Sequence, residues 1–405
     1  MGKKNKAWVL PRHKRVTRLL DFLLRPFITR RYGLSVEEFP AEGGPYLILY
    51  NHQTGFDQFF VGLVLRGEAI YYVASEDIFS LGLASRLIKY LVNPIPIKKQ
   101  SADIRAVLNC MKVAREGGNI AIAPEGNRTF SGRTGHFNHA IAALAKKLGM
   151  PIAFLRIEGG YGVQPRWSDV VRRGHMRAFV SRVLSVEEYR EMTDEELCEL
   201  IGRELYVDES APTGEEYFHK RSAERLERLL YVCPECGLSE FRSHADTVRC
   251  LRCSLEVRYT KKKELVAKTG KIPFNSIGGW YDYQESFINS LDTASLTDAP
   301  IYTDRVLLSR VIPYKRKIKI RRHAECRLFG NRIEIDTGRA ETLTLDFDTI
   351  SVVTVLGKNK INIYAQDKVY QLKGAPEFCA VKYMHLFYRY KNTVKETENG
   401  TFLGI

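Results

Sequence analysis

The sequence predicts an α/β chain: a mainly parallel sheet flanked by helices over 41–185, then a cysteine-clamped segment at 231–256 and a β-rich region at 257–405. Three observations carry this reading. Between 45 and 185, short apolar runs alternate with helix-like stretches, the order that builds a parallel sheet covered by helices. Two CxxC knuckles, Cys233-Pro-Glu-Cys236 and Cys250-Leu-Arg-Cys253, then stand 13 residues apart. Beyond 256 the apolar pattern shortens to strand period, punctuated by Gly-Asn, Thr-Gly and Gly-Lys-Asn turns. A length of 405 residues suits two or three domains, and 44% hydrophobic content is ample for their cores.

In order along the chain, residues 1–40 are basic. The first 31 hold ten Lys or Arg against Asp21 alone, a local +9 of the total +15, which suits anionic lipid or nucleic acid. A helix over 12–31 sets Val16, Leu19, Leu20, Leu23, Leu24 and Phe27 on one side, with Arg12, Lys14, Arg15, Arg18 and Arg25 over most of the rest. That is the pattern of a helix lying in a membrane interface, and a helix packed on its own domain is the alternative. No run approaches the roughly 18 apolar residues of a spanning helix, and no secretory signal opens the chain. The expected location is therefore the cytoplasm, peripherally held at an anionic membrane surface.

Strands are predicted at 46–50, 70–74, 94–97, 119–123, 152–157 and 176–183, and helices at 58–66, 80–91, 101–116 and 137–148. Residues 186–230 read as a helical linker, opened by a Ser185–Glu188 capping box, broken near 208–213 and resumed as a helix over 215–230. Short strands come next at 303–312, 314–322, 325–329, 332–336, 341–345, 349–355, 360–365 and 368–373, with a closing helix over 376–390. Antiparallel strands closed by one helix look like a pleckstrin-homology-type fold.

The two knuckles have the spacing of a closed, tetrahedral, structural zinc site, a zinc ribbon with Cys233, Cys236, Cys250 and Cys253 as ligands. Gly237 supplies backbone freedom after the first knuckle. Disulfides or unliganded thiols are the alternatives, and a reducing cytoplasm favours zinc. Cys110, Cys198, Cys326 and Cys379 lack such partners and read as ordinary thiols. Nothing in the sequence couples this segment to the polar clusters of the 41–185 region.

The first of those clusters holds His52 and Asp57, in Tyr50-Asn51-His52-Gln53-Thr54-Gly55-Phe56-Asp57. It ends a buried-strand pattern and puts a potential base beside a potential carboxylate orienter. On an ideal helix five positions leave two side chains about 140° out of line, so the chain must turn between them, and Gly55 is placed for that. Asp57 could instead be the N-cap of the helix beginning at Gln58. Some 70 residues on, Pro124-Glu125-Gly126-Asn127-Arg128 succeeds another apolar run. Arg128 carries a planar bidentate fork, Gly126 permits close backbone approach, and Glu125 can hold Arg128.

Asn51-His52-Gln53-Thr54-Gly55-Phe56-Asp57 resembles the NHx4D block of the glycerolipid acyltransferases, the PlsC-like lysophosphatidic acid acyltransferases, and 124–128 resembles their PEGTR block. Pro96-Ile97-Lys98-Lys99 stands where a Phe-Ile-Asp-Arg-like segment is usual, and Met150-Pro151-Ile152 matches a later proline-containing strand. The resemblance covers 15–185. It implies that His52, held by Asp57, deprotonates the free hydroxyl of a lysophospholipid acceptor, which attacks an acyl thioester carried by acyl-CoA or acyl carrier protein. It assigns Glu125, Gly126, Asn127, Arg128 and Lys99 to substrate. Asn127 in place of Thr, and Lys98 and Lys99 in place of Asp and Arg, leave the acceptor open. 1-Acylglycerol 3-phosphate is favoured, with glycerol 3-phosphate or another lysolipid as the alternative. The apolar run 59–65 reads as core before acyl channel.

A non-catalytic reading is a zinc-containing protein that binds lipid or nucleic acid. Seven basic residues and no acid lie between Arg310 and Arg322, with Lys315, Lys317, Lys319 and Arg321 forming one basic face. Anionic lipid suits that face as well as nucleic acid does, and nucleic acid is the disfavoured partner.

Overall fold

In the first domain, three apolar runs are buried on both faces, as strands sandwiched between helices must be. In the computed structural model, which describes residues 7–40, 42–75, 78–79, 82–97, 103–137, 139–312, 316–338 and 341–394, they centre a seven-stranded sheet. Its strands are β1 (Leu34–Val36), β2 (Leu47–Tyr50), β3 (Ile70–Ser75), β4 (Ile95–Ile97), β5 (Asn119–Ile122), β6 (Ile152–Glu158) and β7 (Met176–Leu184), ordered β1-β7-β6-β2-β5-β3-β4. Every neighbouring pair is parallel except β6–β7. Leu47, Leu49, Ile120, Ile152 and Phe154 face one core, while Ile48, Tyr50, Ala121, Ala153 and Leu155 face the other.

The helices are α1 (Pro11–Tyr32), α2 (Asp57–Val64), α3 (Leu83–Leu91), α4 (Ile104–Arg115), α5 (Ala140–Leu148), the single turn α6 (Gly160–Val163), α7 (Val186–Arg190) and α8 (Asp194–Leu205). Local chemistry sets their ends. Asp103 accepts the Arg105 and Ala106 amides at the start of α4, and Gly149 closes α5 in the left-handed region. Complete capping boxes open α7 (Ser185, Glu188) and α8 (Thr193, Glu196). β1 and α6 are not among the predicted elements. Phe60, Val61, Leu63 and Val64 of α2 are core.

Helix α1 packs on its own domain along one face and leaves an apolar face exposed. His13, Ile28 and Tyr32 are buried on the domain, and some of its cations are used there: Lys14 pairs with Glu68 at 2.7 Å, Arg25 pairs with Glu38 at 3.2 Å, and Arg12 lies over the Tyr90 ring. Leu19, Phe22, Leu23 and Phe27 stay exposed, Phe22 at 77%. No described helix is long and apolar enough to cross a membrane.

The helix expected over 215–230 does not form. Its backbone groups are spent on other elements: Phe218 exchanges both main-chain bonds with Arg173, and the Ala223 amide donates to the Ala245 carbonyl. Arg225 has a left-handed φ of 70°, and only a short 3-10 turn remains at Leu226–Arg228. A hairpin of β8 (Val232–Cys233) and β9 (Gly237–Leu238) precedes a four-stranded antiparallel sheet of β10 (Phe241–His244), β11 (Thr247–Cys250), β12 (Glu256–Tyr259) and β13 (Leu265–Thr269). The sheet therefore runs on past residue 256.

Next comes α9 (Ile277–Ser290), where no helix is predicted, although Ser276 caps it and Ile277, Trp280, Tyr281, Gln284 and Ile288 are buried at helical spacing. The rest is a curled antiparallel sheet of β14 (Tyr302–Ile312), β15 (Arg316–Leu328), β16 (Arg332–Ile335), β17 (Leu343–Asp346), β18 (Ile350–Leu356), β19 (Lys360–Ala365) and β20 (Lys368–Gly374), ordered β17-β16-β15-β14-β20-β19-β18, with helix α10 (Val381–Arg389) behind it. The two strands predicted at 314–322 and 325–329 are one, β15. Lys317 and Lys319 are exposed on it, while Lys315 lies outside the described residues.

The cysteine segment packs against both of its neighbouring regions. One apolar core runs from Phe130, Tyr161 and Trp167 of the first domain, through Leu226, Tyr231, Cys233 and Cys250, to Leu308, Ile361 and Phe387 of the curled sheet.

Candidate active site

β2 ends at Tyr50, and the buried Asn51 fixes the next turn by donating to the Ile157 carbonyl (2.8 Å) and accepting the Ile157 amide (2.7 Å). The chain then folds around the carboxylate of Asp57, which heads α2 and is fully buried. Asp57 accepts the Gln53 amide (2.7 Å), the Thr54 amide (2.9 Å) and the Thr54 hydroxyl (2.7 Å). Its Oδ2 also lies 2.7 Å from Nδ1 of His52, whose side chain is 23% exposed. An ionised carboxylate only accepts, so Nδ1 carries the hydrogen and the neutral ring keeps the Nε2 lone pair free to take a proton. Asp57 thus organises the turn and does not cap α2. Gly55 has a φ outside the left-handed region, and a Cβ there would sit 3.5 Å from Nη1 of Arg128. The turn is closed by the Asp57 bonds, and Gly55 instead borders the arginine.

The second cluster meets the first at the His52 backbone. Glu125 Oε1 accepts the His52 amide at 2.8 Å and Oε2 accepts the Gly135 amide at 2.7 Å, while the Thr129 amide donates to the His52 carbonyl at 3.1 Å. Glu125 therefore clasps the histidine loop and not Arg128. Burial pushes its carboxyl up to about 8, against the pull of the two amides. Gly126 takes a φ of 65° with nothing within 4 Å of where a Cβ would lie, so the glycine answers to backbone conformation and not to crowding. Burial lowers the pKa of Arg128, while nearby Asp57 and Tyr32 favour its charge. A guanidinium nonetheless stays protonated. Asn127 is half-buried beside it. Lys98 and Lys99 lie outside the described residues.

Sequence reasoning missed the residues that hold this loop from outside. Tyr161 donates to the Phe130 carbonyl at 3.0 Å, Arg133 reaches Asp282 of α9, and Arg166 donates to the Arg128 carbonyl. None sits in a motif, and their partners are remote in sequence.

The four clustered thiols gather as expected. Their sulfurs all lie within 4.8 Å of one another, with Cys233–Cys253 and Cys236–Cys250 each at 3.6 Å. Ligands at roughly 2.3 Å around a tetrahedral zinc stand about 3.8 Å apart, so this donor set fits such an ion with every position filled by sulfur. Gly237 has a φ of 77°. The other four cysteines are buried and free.

Residues 34–158, which carry both polar clusters, match the Acyltransferase family. The N-terminal domain is thus an acyltransferase-family domain, related at low identity to known members. A chloroplastic 1-acyl-sn-glycerol-3-phosphate acyltransferase of Brassica napus is 22% identical over 151 residues, covering 36% of this chain and 43% of that protein. Its counterpart from Arabidopsis thaliana is 21% identical over 151 residues, 36% of this chain and 42% of that one. The chain therefore spans less than half the length of these relatives. The crystal structure of the 1-acyl-sn-glycerophosphate acyltransferase PlsC from Thermotoga maritima aligns with 47% of this chain and 77% of its own at 18% identity, with a TM-score of 0.40.

Proposed function

We propose that the chain is an O-acyltransferase that moves a fatty acyl group from acyl-CoA or acyl carrier protein to the free hydroxyl of a lysophospholipid, 1-acylglycerol 3-phosphate first, giving phosphatidic acid. The observation that carries this reading is the 2.7 Å His52–Asp57 pair, clasped by Glu125 and Thr129 to the loop bearing Arg128. His52 Nε2 takes the acceptor's hydroxyl proton as the oxygen attacks the thioester carbon. Asp57 stabilises the imidazolium, and collapse of the tetrahedral intermediate expels the thiolate, which receives that proton. Arg128, and Lys99 with it, hold the acceptor phosphate, with Gly126 and Asn127 shaping the loop.

Arg128→Ala is expected to raise the apparent KM for a phosphorylated acceptor by roughly tenfold or more while leaving the donor KM nearly unchanged. Steady-state kinetics with phosphorylated and neutral lysolipids checks this, and equal losses on both would remove the phosphate assignment. Glycerol 3-phosphate remains the alternative acceptor, because Asn127 departs from the family pattern.

The exposed Leu19, Phe22, Leu23 and Phe27 of α1 support docking on an anionic membrane surface. Deleting the helix would strip Ile28 and Tyr32 from the core, so the sharper test is Phe22→Asp with Phe27→Asp. That pair is expected to weaken sedimentation with anionic vesicles, most at low salt, without lowering the melting temperature. Unchanged vesicle binding would assign membrane contact elsewhere. The seven-stranded antiparallel order closed by α10 supports the pleckstrin-homology-type reading of the C-terminal region.

A further inference from the structure

Arg166 is buried, lies three residues beyond α6, and has no acidic partner among the described residues. Its guanidinium is satisfied by carbonyls of two distant regions. Nη1 donates to the Arg128 carbonyl at 2.7 Å, Nε to that of Gly357 at 2.8 Å and Nη2 to that of Val355 at 2.8 Å, and the group lies 4.0 Å over the Phe130 ring. Val355 lies near the end of β18, and Gly357 opens the β18–β19 turn. The next residue, Lys358, donates to the Ser168 carbonyl and to Asp169 Oδ1 at 3.0 Å, and Asp169 is also held by Arg228 through two bonds at 2.8 and 2.9 Å. A turn of the curled sheet is thus fastened against the loop that ends in Arg128. A planar fork satisfied in three directions leaves that carbonyl little freedom.

We propose that the C-terminal β region completes the acceptor site, with Arg166 as the positioning residue that fixes the Arg128 loop to the β18–β19 turn. This rests on the reading of Arg128 as the phosphate ligand. Arg128 presents its fork from a loop whose own carbonyl is gripped, so the aim of the fork depends on the grip. A misplacement of about 1 Å can cost on the order of 10² in rate or affinity. Headgroup recognition is therefore built jointly by two regions, although the matched family residues lie wholly in the first.

The test is a double-mutant cycle in the full chain, with Arg166→Gln, Arg128→Ala and the pair, read on phosphorylated and neutral lysolipids. Arg166→Gln is expected to raise the KM for the phosphorylated acceptor roughly tenfold with kcat changed far less, and to add nothing in the Arg128→Ala background. Arg166→Lys should recover part of the loss. Multiplicative losses in the pair would overturn the proposal. If Arg128→Ala alone fails to separate the two acceptors, the phosphate reading fails, while the cycle still reports whether the two arginines act as one. Should Arg166→Gln not fold, Gly357→Pro moves the same turn without removing a buried charge, because proline cannot adopt the φ of 65° found there. A folded Gly357→Pro protein with unchanged KM for the phosphorylated acceptor would equally overturn it.

Discussion

On the proposed mechanism, His52→Ala is expected to lower acyl transfer by roughly 10²–10⁴-fold, the usual cost of losing a general base, and to leave the protein folded. The fold should survive because the residue's structural bonds are main-chain: its amide to Glu125 and its carbonyl from Thr129. Asp57→Asn acts differently. It places an amide opposite the Gln53 and Thr54 donors that now meet a carboxylate, so the loop loosens along with the ring. Its kinetic loss should be no larger than that of His52→Ala, yet its melting temperature should fall further. Single-turnover rates and thermal melts of the two variants separate these effects. A His52→Ala protein with wild-type turnover would remove the mechanism.

Removing zinc is the second large effect. One zinc per chain is expected on Cys233, Cys236, Cys250 and Cys253, as structural metal, and such sites contribute on the order of 10 kcal/mol to folding. Cys250→Ser or chelation should unfold the cysteine segment. Cys233 and Cys250 share one core with Phe130, Tyr161 and Trp167, and Tyr161 holds the Phe130 carbonyl at 3.0 Å. Loss of acyl transfer should therefore accompany zinc release. Metal analysis, near-ultraviolet circular dichroism and activity monitored in one chelation experiment check this. Zinc-free protein purified without chelator would contradict the metal assignment, and full activity after complete zinc release would contradict the coupling.

Much of the first domain was legible because its signals are local. The apolar strands, the Ser185–Glu188 box and the Gly149 stop each occupy a few consecutive residues, and the His52–Asp57 pair lies within one turn. The 215–230 segment misled because its helical composition is overridden by main-chain partners at Arg173 and Ala245, which no window of sequence contains. Helix α9 was readable from Ser276 and the Ile277–Trp280–Tyr281–Gln284–Ile288 spacing, but a β-rich reading of the whole of 257–405 passes over it. The role of Glu125 as a clasp on the His52 amide, and the hold of Arg166 on Arg128, depend on contacts 73 and 38 residues apart. Only the folded chain reveals such contacts.

The most direct measurement incubates the purified full chain with 1-acylglycerol 3-phosphate, neutral lysolipids and glycerol 3-phosphate, each with acyl-CoA and with acyl carrier protein, and monitors lipid product and released thiol together. The expected result is one phosphatidic acid per thiol released from 1-acylglycerol 3-phosphate, abolished by His52→Ala. No ester product with any acceptor and either donor, alongside retention on nucleic acid that falls steeply with salt, would overturn the acyltransferase reading.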